Sequence, residues 1–349
     1  MTERENRLRA YRFESPEYTP ARVGFWGSCF LEEIYDQDRL WEIIEAFPRV
    51  TDGRSRPPGG RRTFVPWATS GQRYTDPFGC VWVTHQDGAT GQVVEHPLDD
   101  WSKLAVWTPP SPQTSNGKKF VDWSEELAAL ARRKQAGELV IAQLDHGHTF
   151  LRMVDLVGYE KLLYSMADGA REVGALADLL ADYNAAIVQK LLAVEPDIVG
   201  YPEDLGMQIG PMLSPDDFRT WIVPVYRRLM APAKDAGCVV HMHSDGDLRT
   251  LLPDICRCGV DVINCQEECN TIDWLKAEIK GSIAIDLGLS ARVITTAEPG
   301  ELRDYILRCA DELGSSEGGL SLTCQLPPGV PWENIATLFE TLDAVSRPA

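Results

Sequence analysis

Residues 238–266, CVVHMHSDGDLRTLLPDICRCGVDVINCQ, carry the pattern that decides the fold. CVVHMH (238–243) and DVINCQ (261–266) are apolar runs of strand length, separated by the polar break SDGD and a helix-length apolar stretch. Strand, break, helix and strand in that order make a βα unit feeding a parallel sheet. The alternation continues outward in both directions, with further strand-length runs at ELVIAQL (138–144), DIVGY (197–201), SIAIDL (282–287) and LSLTCQ (320–325). Ser214-Pro215-Asp216-Asp217 supplies an N-cap hydroxyl, a first-turn proline and an acid at the third position. That combination predicts a helix through FRTWIVPVYRRLMAPAKDA (218–236), kinked at Pro224 and Pro232. Six such strands, with one or two more before residue 137, approach eight. No GxGxxG or GxxxxGK[ST] turn follows any of them. The expectation is an α/β chain folded as a (β/α)8 TIM barrel rather than an open nucleotide-binding sheet.

The N-terminal part reads differently. RVGFWGSCF (22–30) has strand character and DQDRLWEIIEAF (36–47) a helical apolar period. DGRSRPPGGRR (52–62) and TPPSPQTSNGKK (108–119) are loops by their Pro, Gly and Ser content. FGCVWVTH (78–85) and GQVVEHPL (91–98) flank QDGAT and predict a β-hairpin. The chain is therefore expected to be one domain over 1–349, with 50–135 a loop-rich N-terminal insertion or lid and 138–345 the regular βα part.

Charge narrows the partners. The chain has 34 basic and 52 acidic side chains, a formal charge of −18, which repels phosphate backbones and anionic lipid surfaces. No nucleic-acid or membrane partner is expected. The start has no apolar signal core and no run of 18 apolar residues follows, so a cytoplasmic location is expected. Nine cysteines at spacings unlike paired CxxC zinc ribbons read as mostly reduced, buried thiols. Oligomeric state is not encoded in any pattern found here.

A barrel gathers its chemistry at the C-terminal ends of its strands. Those ends carry Asp145, His146 and His148; Glu203 and Asp204; His241, His243, Asp245 and Asp247; Gln266 and Glu267; Asp286; and Cys324 with Gln325. Four of the six histidines fall in two H-x-H pairs at strand ends. On a strand, residues i and i+2 share a face, so His241 and His243 point the same way with His243 nearer the rim. His241 is assigned to the core, Asp247 to a helix cap, and Cys256, Cys258, Cys265, Cys269 and Cys309 to structure. Trp82, Trp101, Trp107 and Trp123 are assigned to packing in the insertion. Imidazole, carboxylate and thiolate from separate strands are a donor set that zinc accepts.

HSDGDLRTLLPDICRCGVDVINCQ, PEDLGMQIGPMLSPDDFRTWIVPVYRRLMAPAKDAG before it and GGLSLTCQLPPGVPWENI after it resemble the uroporphyrinogen decarboxylase superfamily, closest to its corrinoid-dependent methyltransferase branch. The resemblance covers residues 138–345, with weaker extension through DPFGCVW and HPLDDWSKL. It implies metal ligands at the His and Cys of an H-x-C-G motif and at a later Cys before P-x-E-N-I. His243, Asp245 and Cys324 occupy those positions, Asp245 standing for the nearer Cys, with Glu203 a further candidate for the shell. The implied activity moves a methyl group between a small methylated substrate and cobalamin. No D-x-H-x-x-G corrinoid signature is present, so the cobalamin would ride on a separate corrinoid protein. In this reading zinc sits on His243, Cys324 and Asp245 or Glu203. Glu203, Asp204, Gln266 and Asp286 orient substrate, and His146 or His148 moves a proton. Three alternatives stand beside it: a cofactor-free decarboxylase of a porphyrinogen-like acid, a metal-dependent hydrolase, and a non-catalytic barrel binding a corrinoid or tetrapyrrole.

Overall fold

The protein is described by a computed structural model over residues 1–57 and 64–348; positions 58–62 of the loop expected at 52–62 lie outside the described residues. Among the described residues twelve strands follow in chain order. They are β1 (Ala21–Phe25), β2 (Arg73–Thr75), β3 (Val81–Val83), β4 (Gln92–Glu95), β5 (Ile141–Gln143), β6 (Ile198–Asp204), β7 (Gly206–Met207), β8 (Gly210–Pro211), β9 (Val239–Asp245), β10 (Val262–Gln266), β11 (Ala284–Gly288) and β12 (Leu320–Leu326). All six strand runs read after residue 137 are present as β5, β6 and β9 to β12. The run at 22–30 stops at Phe25, because Gly27 and Ser28 turn the chain into a 3-10 turn over Gly27–Phe30. Among the described residues seven strands enter parallel pairing, one fewer than a complete eightfold barrel. β2, β3 and β4 form a separate three-stranded sheet in the region read as a hairpin.

Backbone contacts divide the chain into two units, the first Met1–Gln72, Val83–Gly91 and Gln266–Ala349, the second Arg73–Trp82 and Gln92–Cys265. In the first, β12 lies between β1 and β11 in parallel, with Val23 beside Cys324 and Asp286 beside Ser321. Leu320, Leu322, Cys324 and Leu326 alternate with Ser321, Thr323 and Gln325, so the apolar set shares one face of β12. The helix Trp332–Val345 packs on β1 and is tied through Asn334, whose amide donates to the Ile294 and Ala297 carbonyls at 2.9 Å each.

In the second unit β5, β6, β9 and β10 run in parallel in the order β10, β9, β6, β5. Register places Gln143 beside Gly200, Gly200 beside His241, Pro202 and Asn264 beside His243, and Asp204 beside Asp245. One face of this sheet packs on helices. Tyr201 donates its hydroxyl to the Leu229 carbonyl at 2.8 Å, on the helix Val223–Asp235. The segment expected as one helix over 218–236 is capped as read, with Ser214 accepting from the Asp217 N–H at 3.0 Å. A π turn over Phe218–Ile222 precedes the regular part. Pro224 has no N–H to give, so a widened turn there fits the break in the hydrogen-bond ladder. No helix of the described chain is long and apolar enough to cross a membrane.

Candidate metal centre

Parity along the strands of the second unit sorts the candidate residues. On β9, Met242 and Ser244 are buried while His241, His243 and Asp245 keep partial exposure, although neighbouring strands flank β9 on both sides. Their shared face is therefore the open one. On β6, Pro202 and Asp204 are on that face, and Tyr201 and Glu203 are on the helix side. His146 follows β5 in a turn whose Gly147 takes φ +75°, a left-handed conformation that glycine adopts without strain. That turn brings His146 to the open face and sends His148 into the helix layer.

The outcome is a cluster of His146, Asp204 and His243, one ligand atom from each lying within 4.8 Å of the others. The Asp204 Oδ1 lies 3.4 Å from His146 Nε2 and 3.5 Å from His243 Nε2, and accepts from the Asp245 N–H at 3.1 Å. Asp245 Oδ1 is 3.6 Å from His243 Nε2. On its other side, His243 Nδ1 meets the Asn264 Oδ1 at 2.5 Å. An amide oxygen only accepts, so Nδ1 is the protonated nitrogen and the Nε2 lone pair of a neutral ring points at Asp204. Two imidazole nitrogens and a carboxylate oxygen facing each other need a shared positive charge, either protons on the rings or a cation. Burial would raise Asp204, but hydrogen bonds from His146 and His243 outweigh it and hold the carboxylate well below its ordinary range. Burial would lower both histidines, and Asp204 outweighs it and raises both. The donor chemistry fits a divalent cation held by His146, Asp204 and His243, with Asp245 beside it.

Two of the ligands read from the sequence stand elsewhere. Glu203 is wholly buried and accepts from the Thr149 N–H at 3.2 Å, the Phe150 N–H at 2.7 Å and the Tyr226 hydroxyl at 2.9 Å. Burial pushes it up to about 7. Its carboxylate caps the helix Phe150–Val157 because one residue of strand parity separates it from Asp204, so it is not offered to the cation. Cys324 is buried on the face of β12 shared with Leu320, Leu322 and Leu326, and burial pushes its thiol up to about 12. Strand parity thus sets the Cys324 side chain in the leucine layer of β12, where it packs.

The remaining candidates separate as follows. His148 is buried with its ring 6.0 Å from Tyr201 and 5.6 Å from Tyr226, and burial pushes it down to about 3. Burial therefore favours its neutral form, and it lies on the helix side, away from the open face. Gln266 and Asp286 belong to the first unit. Asp286 accepts from the Ser321 hydroxyl at 2.6 Å, and the Gln266 carbonyl from the Asn270 amide at 2.9 Å. Asp247 accepts from the Arg249 N–H at 3.0 Å and caps a turn, the regular helix starting only at Leu252. Asp204 and His146 were read as substrate and proton groups; their place in the cluster needed the register of β5, β6 and β9, which spacing alone does not supply.

The family model for uroporphyrinogen decarboxylase (URO-D) matches residues 77–345. The chain belongs to the uroporphyrinogen decarboxylase family. Among solved structures, a methyltransferase from Methanosarcina mazei shares the fold of this family member over 99% of both chains, with a TM-score of 0.68 at 16% identity. A putative vitamin-B12-independent methionine synthase from Listeria monocytogenes, also 16% identical, overlaps 63% of this chain and 67% of its own with a TM-score of 0.39. A search of curated proteins found no match.

Proposed function

We propose that this family member is a methyltransferase that moves a methyl group between a small methylated compound and cobalamin carried on a separate corrinoid protein. The observation that supports it is the convergence of His146 Nε2, Asp204 and His243 Nε2 on the open face of the sheet. Zinc is the cation we assign, with Asp245 completing the shell. The ligand set differs from that implied by the sequence, two imidazoles and carboxylates replacing the Cys324 sulfur and Glu203.

Bound zinc would supply a Lewis acid for the heteroatom that carries or accepts the methyl group. The chain's own residues do the rest. Asn264 fixes the His243 tautomer, so Nε2 rather than Nδ1 faces the site. Asp204 and Asp245 balance the charge of a dication, so a neutral donor enters without leaving net charge on the site. Glu203 holds the start of the helix after His146 and so fixes the turn that presents the imidazole. The corrinoid supplies the methyl acceptor or donor from outside the chain.

The test is metal analysis of purified wild-type protein and His243→Ala, followed by a cob(I)alamin methylation screen with methoxylated, methylamine and methylthiol compounds. One zinc per chain, lost in the variant together with methyl transfer, is the expected result. A metal-replete, active His243→Ala variant overturns the assignment. Metal-free protein that decarboxylates a porphyrinogen favours the decarboxylase reading instead.

A further inference from the structure

The face that carries the cluster continues downward as ordered rows of side chains. Parallel partners in register lie side by side on one face, and successive rows are two residues apart, about 6.6 Å along the strand. The rim row holds Asp204 and Asp245; below it stand Pro202, His243 and Asn264; below that stand Gln143, Gly200, His241 and Val262. The lowest of these rows has two polar residues, an amide and an imidazole, where Ile141, Ile198 and Val239 one row deeper are apolar. Gln143 is exposed and His241 half-buried, so neither is sealed into the helix-side core.

Gly200 explains how the amide comes to lie there. A Cβ on Gly200 would sit 2.8 Å from the Gln143 Cβ and 3.4 Å from its Oε1. The space of the missing side chain is filled by Gln143. Among the described residues of these four strands, no acid, lysine or arginine pairs into this row. The first charge after β5, Asp145, is met by the Arg152 guanidinium at 3.5 Å. These side chains offer a charged ligand group no counterion, whereas a neutral hydroxyl or carbonyl finds hydrogen-bond partners in the amide and the imidazole. At the cation, nitrogen and oxygen donors without sulfur match an oxygen-bonded ligand better than a thioether.

We infer that Gln143, Gly200 and His241 form the substrate-specificity floor of the site, selecting an uncharged O-methyl compound with a second hydrogen-bonding oxygen about one row from the methyl-bearing one. The inference rests on the proposed function, naming its substrate class. Cobalt(II)-loaded protein gives a readout independent of turnover. It is titrated with 4-methoxyphenol, 4-methoxybenzoate and 4-methoxybenzylammonium, which share one end and differ in charge at the other, and the visible cobalt spectrum is followed. The neutral probe is expected to bind at least tenfold more tightly than either charged one. Gln143→Leu, which keeps the bulk and removes the amide, should lose about tenfold of that affinity while retaining the cobalt stoichiometry and unliganded spectrum. Gln143→Glu should shift preference to the ammonium probe, a change that loss of packing alone does not produce. Gly200→Ala should weaken the neutral probe by displacing Gln143. Equal binding of the three probes, no spectral response to any, or an unaltered preference in both Gln143 variants overturns the inference. If the neutral probe binds as expected but no methyl group reaches cob(I)alamin, the proposed function fails while the floor stands.

Discussion

His243 is useful as a ligand only because Asn264 holds its other nitrogen. Without that partner the ring can swap tautomers and rotate, and part of any cation affinity is lost to ordering it. Asn264→Leu is therefore expected to lower zinc affinity about 10- to 100-fold, measured by competition with a chromogenic chelator, with the fold retained. Cys324 makes the converse case. With its thiol buried among leucines, Cys324→Ala should leave zinc stoichiometry unchanged and reduce stability by about 1 kcal/mol in urea unfolding. Loss of zinc in this variant would restore the sulfur to the ligand set. The sequence showed that both residues stand near strand ends. It did not show which way they face, because one residue of parity turns a ligand into a packing group.

At the scale of elements, the seven parallel strands were legible because a strand buried on the helix side needs a run such as CVVHM or DVIN, and such runs are rare elsewhere in the chain. The cluster was legible only in part. H-x-H at 241–243 marks one strand, but the pairing of His146 with Asp204 depends on a turn at Gly147 and on register between strands far apart in sequence. Glu203 was misread because a carboxylate at a strand end looks the same whether it meets a metal or caps a helix. Glu203→Leu should leave the Thr149 and Phe150 N–H groups without their acceptor, costing about 2–4 kcal/mol, whereas Glu203→Gln should bind zinc with wild-type stoichiometry. The same helix carries Asp155, which burial pushes up to about 6 against the pull of Arg152. Its folded pKa lies above the ordinary value of 3.8, so the folded chain holds this proton more tightly. The stability this confers is full below about pH 4 and is lost as pH rises through about 6. Comparing Asp155→Asn with wild type at pH 4.5 and pH 7.5 should show the wild type losing about 2 kcal/mol relative to the variant across that window. Parallel unfolding curves at the two pH values would argue that Arg152 fully compensates the buried carboxylate.

For the whole molecule, the cluster links cation binding to folding. His146, Asp204 and His243 come from segments of the chain 97 residues apart at their extremes, with no motif that gathers them before β5, β6 and β9 align. A cation that binds the aligned ligands and not the unfolded chain stabilises the fold by about 2.7 kcal/mol when its free concentration is a hundred times Kd. For a unit of this size that is about 5 °C or more in Tm. The second unit nevertheless has a core of its own, with Tyr201, Tyr226, Phe150 and Phe218 among its largest fully buried side chains. Chelation should therefore lower Tm without unfolding the protein, unlike small zinc domains whose fold depends on the metal. Differential scanning calorimetry across a zinc titration should give a Tm that climbs with the logarithm of free zinc, and a flat response in His243→Ala. Outright unfolding on chelation at 25 °C would mean that the cation, rather than the apolar layer between sheet and helices, supplies most of the stability of this unit. A flat wild-type response would mean that the ring protons, and no metal, hold Asp204 in place.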